Sequence, residues 1–180
     1  MRILKLKLLT MFIVSSLGAQ DFWLDVGYGA SPSISSAYIS GFRGVHLVFT
    51  VDNPWGDVVL HYANRATFVE LPSYYTEATG SSSTFSVHYG GTWTKSRFRF
   101  GISTGIGLFR GKFKAWGYPD FTALSPVERE WKEDRLAIPA DMRICWNFSD
   151  HIGFGASVSG AYVKNYSYIA GGLFIRFGTR

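Results

Sequence analysis

The sequence of 180 residues predicts an all-β fold: an eight-stranded antiparallel up-and-down transmembrane β-barrel. Three observations predict it. Apolar and polar side chains alternate with a period of two from Phe22 onward, eight segments carry this alternation, and most connections on one side are longer than those on the other. No helical pattern is long enough to cover a sheet face, so closure into a barrel is the expected way to remove the sheet edges.

The N-terminal segment has the pattern of a secretory signal peptide. A basic stretch (2–7) precedes an apolar stretch of ten residues (8–17), and two small residues follow. A membrane anchor is the alternative, but a spanning helix needs about 20 apolar residues. We therefore predict a cleaved signal peptide over 1–19, with cleavage after Ala19, and a single barrel domain over 20–180.

Composition and charge exclude several classes of protein. A single cysteine, Cys145, excludes a disulfide scaffold, and an aromatic content of 17% excludes a disordered chain. The formal charge of +5 falls to about +2 without the signal peptide, since residues 20–180 hold 15 Lys and Arg against 13 Asp and Glu. We therefore expect no nucleic-acid partner.

The fifth predicted strand has the clearest alternation. Residues 98–109 place bulky apolar side chains at the even positions and mostly arginine, glycine and serine at the odd ones. Residues 135–148 and 152–162 repeat this pattern, which indicates a strand with one apolar face and one polar or small face. The predicted strands, in order, are 22–31, 42–51, 58–69, 84–94, 98–109, 137–148, 151–162 and 167–177. Pro139 cannot donate a ladder hydrogen bond, so we expect it at a bulge near one rim.

The connections differ in length between the two sides of the predicted barrel. Those on one side are short (52–57, 95–97 and 149–150), whereas three of the four on the other side are long (32–41, 70–83 and 110–136, with 163–166 the exception). Bacterial outer-membrane barrels have short periplasmic turns and longer extracellular loops. We therefore expect residues 110–136 to form a long extracellular loop.

Aromatic residues are concentrated near both ends of the predicted strands. At the short-turn end these are Phe22, Trp55, Trp93, Phe98, Trp146, Phe148 and Phe177, and toward the other rim they are Tyr28, Phe68, Phe85, Tyr162 and Tyr166. Two such bands suit the two interfaces of a membrane. A soluble lipocalin-like barrel with its apolar face inward is the alternative. It is disfavoured because so bulky a core inside a glycine-rich surface would pack and be solvated poorly.

The whole predicted mature chain resembles the small eight-stranded outer-membrane β-barrel proteins of Gram-negative bacteria. The resemblance implies a location in the bacterial outer membrane and recognition by the outer-membrane assembly machinery, which reads a terminal aromatic residue. Here the last predicted strand ends on Phe177, and Gly178, Thr179 and Arg180 follow it, so the chain departs from that pattern.

The inward face of the predicted barrel is polar. An eight-stranded barrel has room only for side chains, so we expect these residues to form a polar plug of the lumen rather than line a pore. Arginines outnumber aspartates among them, so either water satisfies some arginines or the register differs. Glycines of the fifth, seventh and eighth strands are expected to make room for the arginines. The predicted plug consists of Asp25, His46, His61, Arg65, His88, Arg99, Asp141, Arg143 and Arg176, with Asn147 and Cys145 on the same face.

Metal binding by the inward histidines is a weak alternative. Imidazoles on three consecutive strands, His46, His61 and His88, could bind zinc if their heights matched, but they lack the local spacing of a metal motif. We therefore predict neither a metal nor a cofactor.

Two families of lipid-modifying enzymes offer a second alternative. Residues 61–64 (HYAN) resemble the His-x-Ser-Asn stretch of lipid A deacylases, but Ala63 stands at the nucleophile position and has no hydroxyl to activate. Lipid A palmitoyltransferases use a His, an Asp and a Ser near the outer rim, where Ser31 and Ser86 are the serines to consider here. No such trio stands out, so we predict that the protein is not an enzyme.

The predicted 110–136 loop is the remaining functional candidate, because it interleaves basic and aromatic residues. We expect contacts with a partner or with lipopolysaccharide from Arg110, Lys112, Lys114, Trp116, Tyr118 and Trp131. An extension of the fifth and sixth strands into a protruding hairpin is one possible form, and an ordinary solvated loop is the alternative.

The predicted function is that of a non-enzymatic structural, adhesion or interaction module of the outer membrane with a filled lumen. The expected partners are outer-membrane lipid and lipopolysaccharide, the outer-membrane assembly machinery and an extracellular protein. The alternatives are an outer-membrane lipid-modifying enzyme (a lipid A acyl hydrolase or acyltransferase) and a narrow channel for small molecules.

Overall fold

The structure, a computed structural model, describes residues 21–31, 41–53, 55–68, 75–117, 127–164 and 167–179. Eight antiparallel strands close into a barrel in which each pairs with the next and the last with the first. The predicted all-β barrel is thereby confirmed. The predicted signal peptide (1–19) lies outside the described residues. The strands are β1 (Phe22–Ser31), β2 (Gly41–Val51), β3 (Asp57–Phe68), β4 (Tyr75–Lys95), β5 (Phe98–Gly117), β6 (Val127–Asn147), β7 (Ile152–Val163) and β8 (Tyr168–Thr179).

Three strands are longer than the sequence pattern predicts. β4 begins at Tyr75, β5 continues to Gly117, and β6 begins at Val127, so parts of the predicted 70–83 and 110–136 loops are strand. Turn-forming and charged residues fill these segments, which is why they resemble loops in the sequence. The structure pairs them in register, from Phe98↔Trp146 up to Gly117↔Val127. We call the paired segments 75–83, 110–117 and 127–134 the projecting sheet.

Two faces alternate along every strand, as the sequence predicts. Odd-numbered positions of β5 and β6 point inward and even-numbered positions point outward. Apolar side chains remain exposed on the outward face of all eight strands, for example Leu24, Leu47, Leu60, Val87, Ile102, Ile144, Phe154 and Leu173.

Exposed aromatic side chains lie at both ends of this apolar surface. Those at the short-turn end are Trp55, Trp93, Phe98, Trp146, Phe148 and Phe177, and those toward the other rim are Tyr28, Phe85 and Tyr162. Phe22 is half-buried and stacks on Phe49 with 6.1 Å between ring centroids. The side chains of Phe68 and Tyr166 lie outside the described part.

Pro139 lies inside β6 rather than near its end, because β6 starts twelve residues before it. The ladder with β5 resumes on either side at Thr104↔Ala140 and Gly107↔Ala137, whereas the pairing with β7 includes Pro139↔Ala161. The proline has no N–H to donate toward β5. Its carbonyl accepts a hydrogen bond from the Thr104 hydroxyl at 2.8 Å, which satisfies one backbone group at the interruption.

Replacing an outward apolar residue by arginine tests which face meets lipid. We expect Ile102→Arg, about halfway up the apolar surface, to lower the free energy of unfolding in lipid vesicles by about 2–4 kcal/mol. Ile152→Arg, at the short-turn rim, is the matched control and should cost about 0–1 kcal/mol, since its charge reaches the interface. Urea titration measures both variants. Equal losses would mean that this face does not lie in lipid.

Candidate functional site: a filled lumen and a projecting sheet

Asp25 is the centre of a charged network in the lumen. Its carboxylate is fully buried and accepts hydrogen bonds from Arg176 Nε and Nη2, both at 2.6 Å, and from Arg143 Nη1 at 2.9 Å. Arg143 also lies 2.7 Å from the Asp141 carboxylate and donates to the Thr50 hydroxyl at 3.0 Å. Because buried charges are stable only when paired and hydrogen-bonded, these contacts favour one arrangement of β1, β2, β6 and β8.

Two further carboxylates that the sequence reasoning missed balance the arginines. Asp52, in the β2–β3 turn, forms an ion pair with Arg99 and accepts a hydrogen bond from Trp23 Nε1 at 3.2 Å. Asp57 is buried at the start of β3 and accepts a hydrogen bond from Thr92. Among the described residues, the charged groups of the lumen network are then four aspartates (Asp25, Asp52, Asp57 and Asp141) and four arginines (Arg65, Arg99, Arg143 and Arg176). Asp57 lies an even number of residues before the inward-facing His61 on β3, so the alternation in the sequence already indicated that it points inward.

Three histidine rings lie side by side across β2, β3 and β4. The ring centroids of His46 and His61 are 6.0 Å apart, and those of His61 and His88 are 5.7 Å apart. Both nitrogens of His88 contact serine hydroxyls, Ser86 at 2.8 Å and Ser103 at 3.2 Å. Within the described ranges, no three His, Cys, Asp or Glu side chains are placed to hold a metal ion.

An apolar cluster fills the upper lumen, toward the projecting sheet. The rings of Phe113 and Trp131 stack with 5.5 Å between centroids, and Phe113 is only 1% exposed. Below them, Arg65 donates to the Tyr168 hydroxyl at 2.8 Å and to the Thr84 hydroxyl at 3.0 Å. The apolar cluster consists of Phe109, Phe113, Ala137, Ala161, Val163, Tyr168 and Ala170, with Trp131 packed against it.

Aromatic side chains also close the lower lumen. Trp23 is buried there, with the guanidinium groups of Arg99 and Arg176 at 5.3 and 5.5 Å from its ring centroid. Phe174 is buried opposite Gly155, where an added Cβ would lie 2.4 Å from the ring. The expectation that glycines make room for arginines is wrong at this position, because the space holds an aromatic ring. Trp23 lies two residues before Asp25 on β1, and Phe174 lies two residues before Arg176 on β8. The alternation alone could therefore have identified both aromatic residues as facing the lumen.

The space left in the lumen is small. Two cavities between its side chains, one beside Arg99, Arg143 and Arg176 and one beside His46 and Arg65, have volumes of about 10 and 20 Å³. Each has room for about one water molecule. Among the described residues, charged side chains and the rings of Trp23 and Phe174 therefore occupy the lower lumen, and the apolar cluster occupies the upper lumen.

The candidate catalytic residues that the structure describes for the two enzyme alternatives are buried in the lumen rather than exposed at the outer rim. His61 and Ala63 are buried in the lumen, and Ser86, expected at the rim, is 1% exposed and bonded to His88. The side chain of Ser31 lies outside the described part. Cys145 is buried beside Asn147, 3.4 Å from the amide oxygen.

The outward face of the projecting sheet carries charged pairs. Arg110 lies 3.4 Å from Asp134, and Lys114 donates to Glu128 at 2.9 Å and lies 3.8 Å from Glu130. The hydrogen bond to Glu128 and the charges of both glutamates raise the pKa of Lys114 above its usual value. These side chains are exposed, so water and salt screen the pairs and each contributes little to the stability of the sheet.

The six predicted contact residues do not share one surface. Arg110, Lys112, Lys114 and Trp116 are exposed on the outward face of β5, as their common parity implies. Trp131 instead points inward and packs in the apolar cluster, and Tyr118 lies outside the described residues. Trp131 has the parity of the lumen-facing residues of β6, so it supports the sheet from within.

One cross-strand pair breaks the complementary pattern of charges. Lys112 stands directly opposite Lys132, and both are exposed on the outward face. Among the described residues, no carboxylate lies within 4 Å of either ammonium group. Like charges directly opposite each other destabilise a strand pair.

Fold and surface together define a membrane-spanning β-barrel. An apolar outward surface lies between two aromatic bands and surrounds a lumen that holds charged side chains below and an apolar cluster above. The 20 residues of β5, rising about 3.3 Å each at a tilt of about 45°, reach about 47 Å along the barrel axis. The apolar band of such barrels is about 25 Å tall, so the projecting sheet lies beyond it.

Solved outer-membrane barrels share this fold. Ail, the attachment invasion locus protein of Yersinia pestis, is 14% identical, with 89% of this chain and 99% of Ail covered at a TM-score of 0.61. A major outer membrane protein from Thermus thermophilus is 8% identical, with 89% and 100% covered at a TM-score of 0.63. Neisserial surface protein A (NspA) is 13% identical, with 88% and 96% covered at a TM-score of 0.55.

The predicted resemblance to small outer-membrane barrels is thereby confirmed at the level of the fold. No protein-family model and no curated protein sequence matches the chain. Among the described residues, no helix is long and apolar enough to span a membrane.

The network around Asp25 predicts a large effect of a nearly isosteric change. Asp25→Asn removes the charge that pairs with Arg143 and Arg176, and we expect the free energy of unfolding to fall by about 3–5 kcal/mol. Asp134→Asn, which breaks the exposed pair with Arg110, is the control and should cost less than about 1 kcal/mol. Both are measured by urea titration in the same lipid vesicles. Similar losses for the two variants would contradict the central role of Asp25.

The Lys112–Lys132 pair predicts a stabilising substitution. Lys132→Glu places a carboxylate opposite Lys112, so we expect the free energy of unfolding in a neutral detergent to rise by about 0.2–1 kcal/mol. Lys95→Glu, at the short-turn end, supplies the same change of net charge as a control. A loss of stability in Lys132→Glu would show that the two ammonium groups do not repel each other.

Proposed function

We propose that this protein spans the bacterial outer membrane as a filled, non-enzymatic barrel and acts as an interaction module through its projecting sheet. The observation that carries the proposal is the ordered extension of β4, β5 and β6 beyond the apolar surface. Phe113 and Trp131 stack on the inward face of this extension, and cross-strand ion pairs lie on its outward face. A rigid surface supported from within loses little conformational entropy when it binds a partner.

The filled lumen favours interaction over transport. Trp23 and Phe174 occupy its lower part, the apolar cluster occupies its upper part, and two cavities between its charged side chains each have room for about one water molecule. A channel would need a continuous aqueous path through these layers.

The burial of the candidate catalytic groups favours a non-enzymatic role. His61, His88 and Ser86 are at least nine-tenths buried within the lumen, where a lipid in the outer leaflet does not reach them. Ala63 supplies no nucleophile beside His61.

Two partners follow from this proposal. The first is an extracellular protein that binds the tip of the projecting sheet, where Trp116 is 48% exposed opposite Glu128. The second is the outer-membrane assembly machinery. Phe177 is exposed near the end of β8, but the strand continues to Thr179, which pairs with Phe22, so the terminal signal would be read two residues inside the strand end.

Shortening the projecting sheet tests the proposal. Residues 114–130 are replaced by Asn-Gly, a two-residue hairpin turn, which keeps the Phe113–Trp131 stack and so retains the apolar cluster. We expect the variant to insert into outer membranes and to keep its SDS-resistant fast-migrating form before boiling, while binding of the protein to host or neighbouring cell surfaces is lost.

The control replaces Trp116 and Glu128 by serine in the full-length sheet, which alters the tip without shortening it. If the shortened variant fails to insert, the projecting sheet is needed for folding. If the shortened variant still binds cell surfaces, the projecting sheet is not the partner site. Either result contradicts the proposal.

Planar-bilayer recording tests the channel alternative. We expect no conductance from the refolded protein, because rings close both ends of the lumen. Phe113→Ala together with Trp131→Ala opens the upper layer only, so this variant should also remain closed while Trp23 and Phe174 are in place. Stepwise conductance of the unchanged protein would favour a channel instead.

A further inference from the structure

The outward wall of β5 and β6 has a groove where the apolar surface gives way to charge. Leu108 stands opposite Leu136, and their side chains are 55% and 68% exposed. A cavity of about 230 Å³ runs beside them, with Arg110, Asp134, Arg135 and Phe109 completing its lining. The groove is therefore apolar below and charged above.

The unmatched lysine pair lies directly above this groove on the same face. Lys112 lies four residues after Leu108 on β5, and Lys132 lies four residues before Leu136 on β6. The pair Arg110 and Asp134 lies between them. Four residues rise about 13 Å along a strand and about 9 Å along the membrane normal at a tilt of about 45°. The polar layer on each side of a bilayer is about 5–8 Å thick, and lysine side chains bend toward the level of the headgroups.

We propose that this wall binds a phosphate-bearing glycolipid of the outer leaflet. The acyl chain lies against Leu108 and Leu136, and the Lys112 and Lys132 ammonium groups bind the phosphate between them, with Arg110 at its lower side. The ligand supplies the negative charge that the cross-strand pair lacks. This inference rests on the proposed location in the outer membrane.

The charges at this site favour an anion carried by a membrane over a free one. Lys114, two residues farther along, already contacts Glu128 and Glu130, and Arg110 contacts Asp134, whereas no carboxylate of the described residues lies within 4 Å of the Lys112 or Lys132 ammonium group. The two lysines are exposed, so a free phosphate in water would be bound weakly. A lipid phosphate is held beside them by its acyl chains in the groove.

Titration with a defined lipid tests this site. The refolded full-length protein in neutral detergent is titrated with diphosphoryl lipid A, and native mass spectrometry measures the bound fraction. The double variant Lys112→Gln with Lys132→Gln should bind about 30-fold more weakly, since each lysine near a phosphate contributes roughly fivefold. The control, Lys95→Gln with Lys164→Gln, removes the same charge elsewhere and should leave the affinity unchanged. Lys112→Arg with Lys132→Arg keeps both charges and should retain binding.

Dephosphorylated lipid A and inorganic phosphate distinguish the sources of binding. We expect dephosphorylated lipid A to bind weakly, and we expect inorganic phosphate not to displace diphosphoryl lipid A. Any of four results would overturn the inference. Two concern the variants: an equal loss of lipid A affinity in both glutamine double variants, or an unchanged affinity in Lys112→Gln with Lys132→Gln. Two concern the ligands: dephosphorylated lipid A binding as tightly as diphosphoryl lipid A, or full displacement of the lipid by inorganic phosphate. Heat modifiability is recorded for every sample. A protein that does not insert at all contradicts the proposed function, whereas one that inserts without binding lipid contradicts only this site.

Discussion

The ion pair between Asp25 and Arg176 is the interaction on which the rest of the structure depends. These residues are direct partners in the β1–β8 ladder, the seam that closes the barrel, and Arg143 of β6 reaches the same carboxylate from across the lumen. A carboxylate buried this deeply is stable only with such partners. The seam, the lumen and the register of three strands are therefore linked, and any slip of one residue would turn these charges toward the apolar surface.

The same closure explains how one barrel combines a packed interior with an exposed charged surface. Eight strands leave a lumen that is occupied mainly by side chains, and their packing contributes to stability. The apolar cluster then extends this packing upward to Phe113 and Trp131, where it supports the inner side of the projecting sheet. Because the inner face is packed, the outer face can carry charged residues, which we propose serve recognition rather than folding.

The proposed functions of this molecule lie where its surface changes character. The proposed contacts with lipid, with phosphate and with a protein follow one another along β5 and β6, from Leu108 through Lys112 to Trp116. Each depends on a different property of the same two strands: apolar area, unmatched positive charge, and height above the membrane. The solved barrels with this fold share the scaffold at low identity, so the identity of the partner depends on these side chains rather than on the fold.

The sequence alone determined the eight strands, their two faces and the membership of most of the lumen, because a period of two assigns every residue of a strand to one side. It did not determine the strand ends at Tyr75, Gly117 and Val127, since turn-forming and charged residues there are stabilised by pairing with neighbouring strands. Nor did it determine the balance of lumen charges, because Asp52 lies in a turn where the alternation stops. Only the tertiary structure decided which aspartate meets which arginine and that Lys112 stands opposite Lys132. Both depend on register, which is set by packing and hydrogen bonds between strands rather than by the order of residues within one.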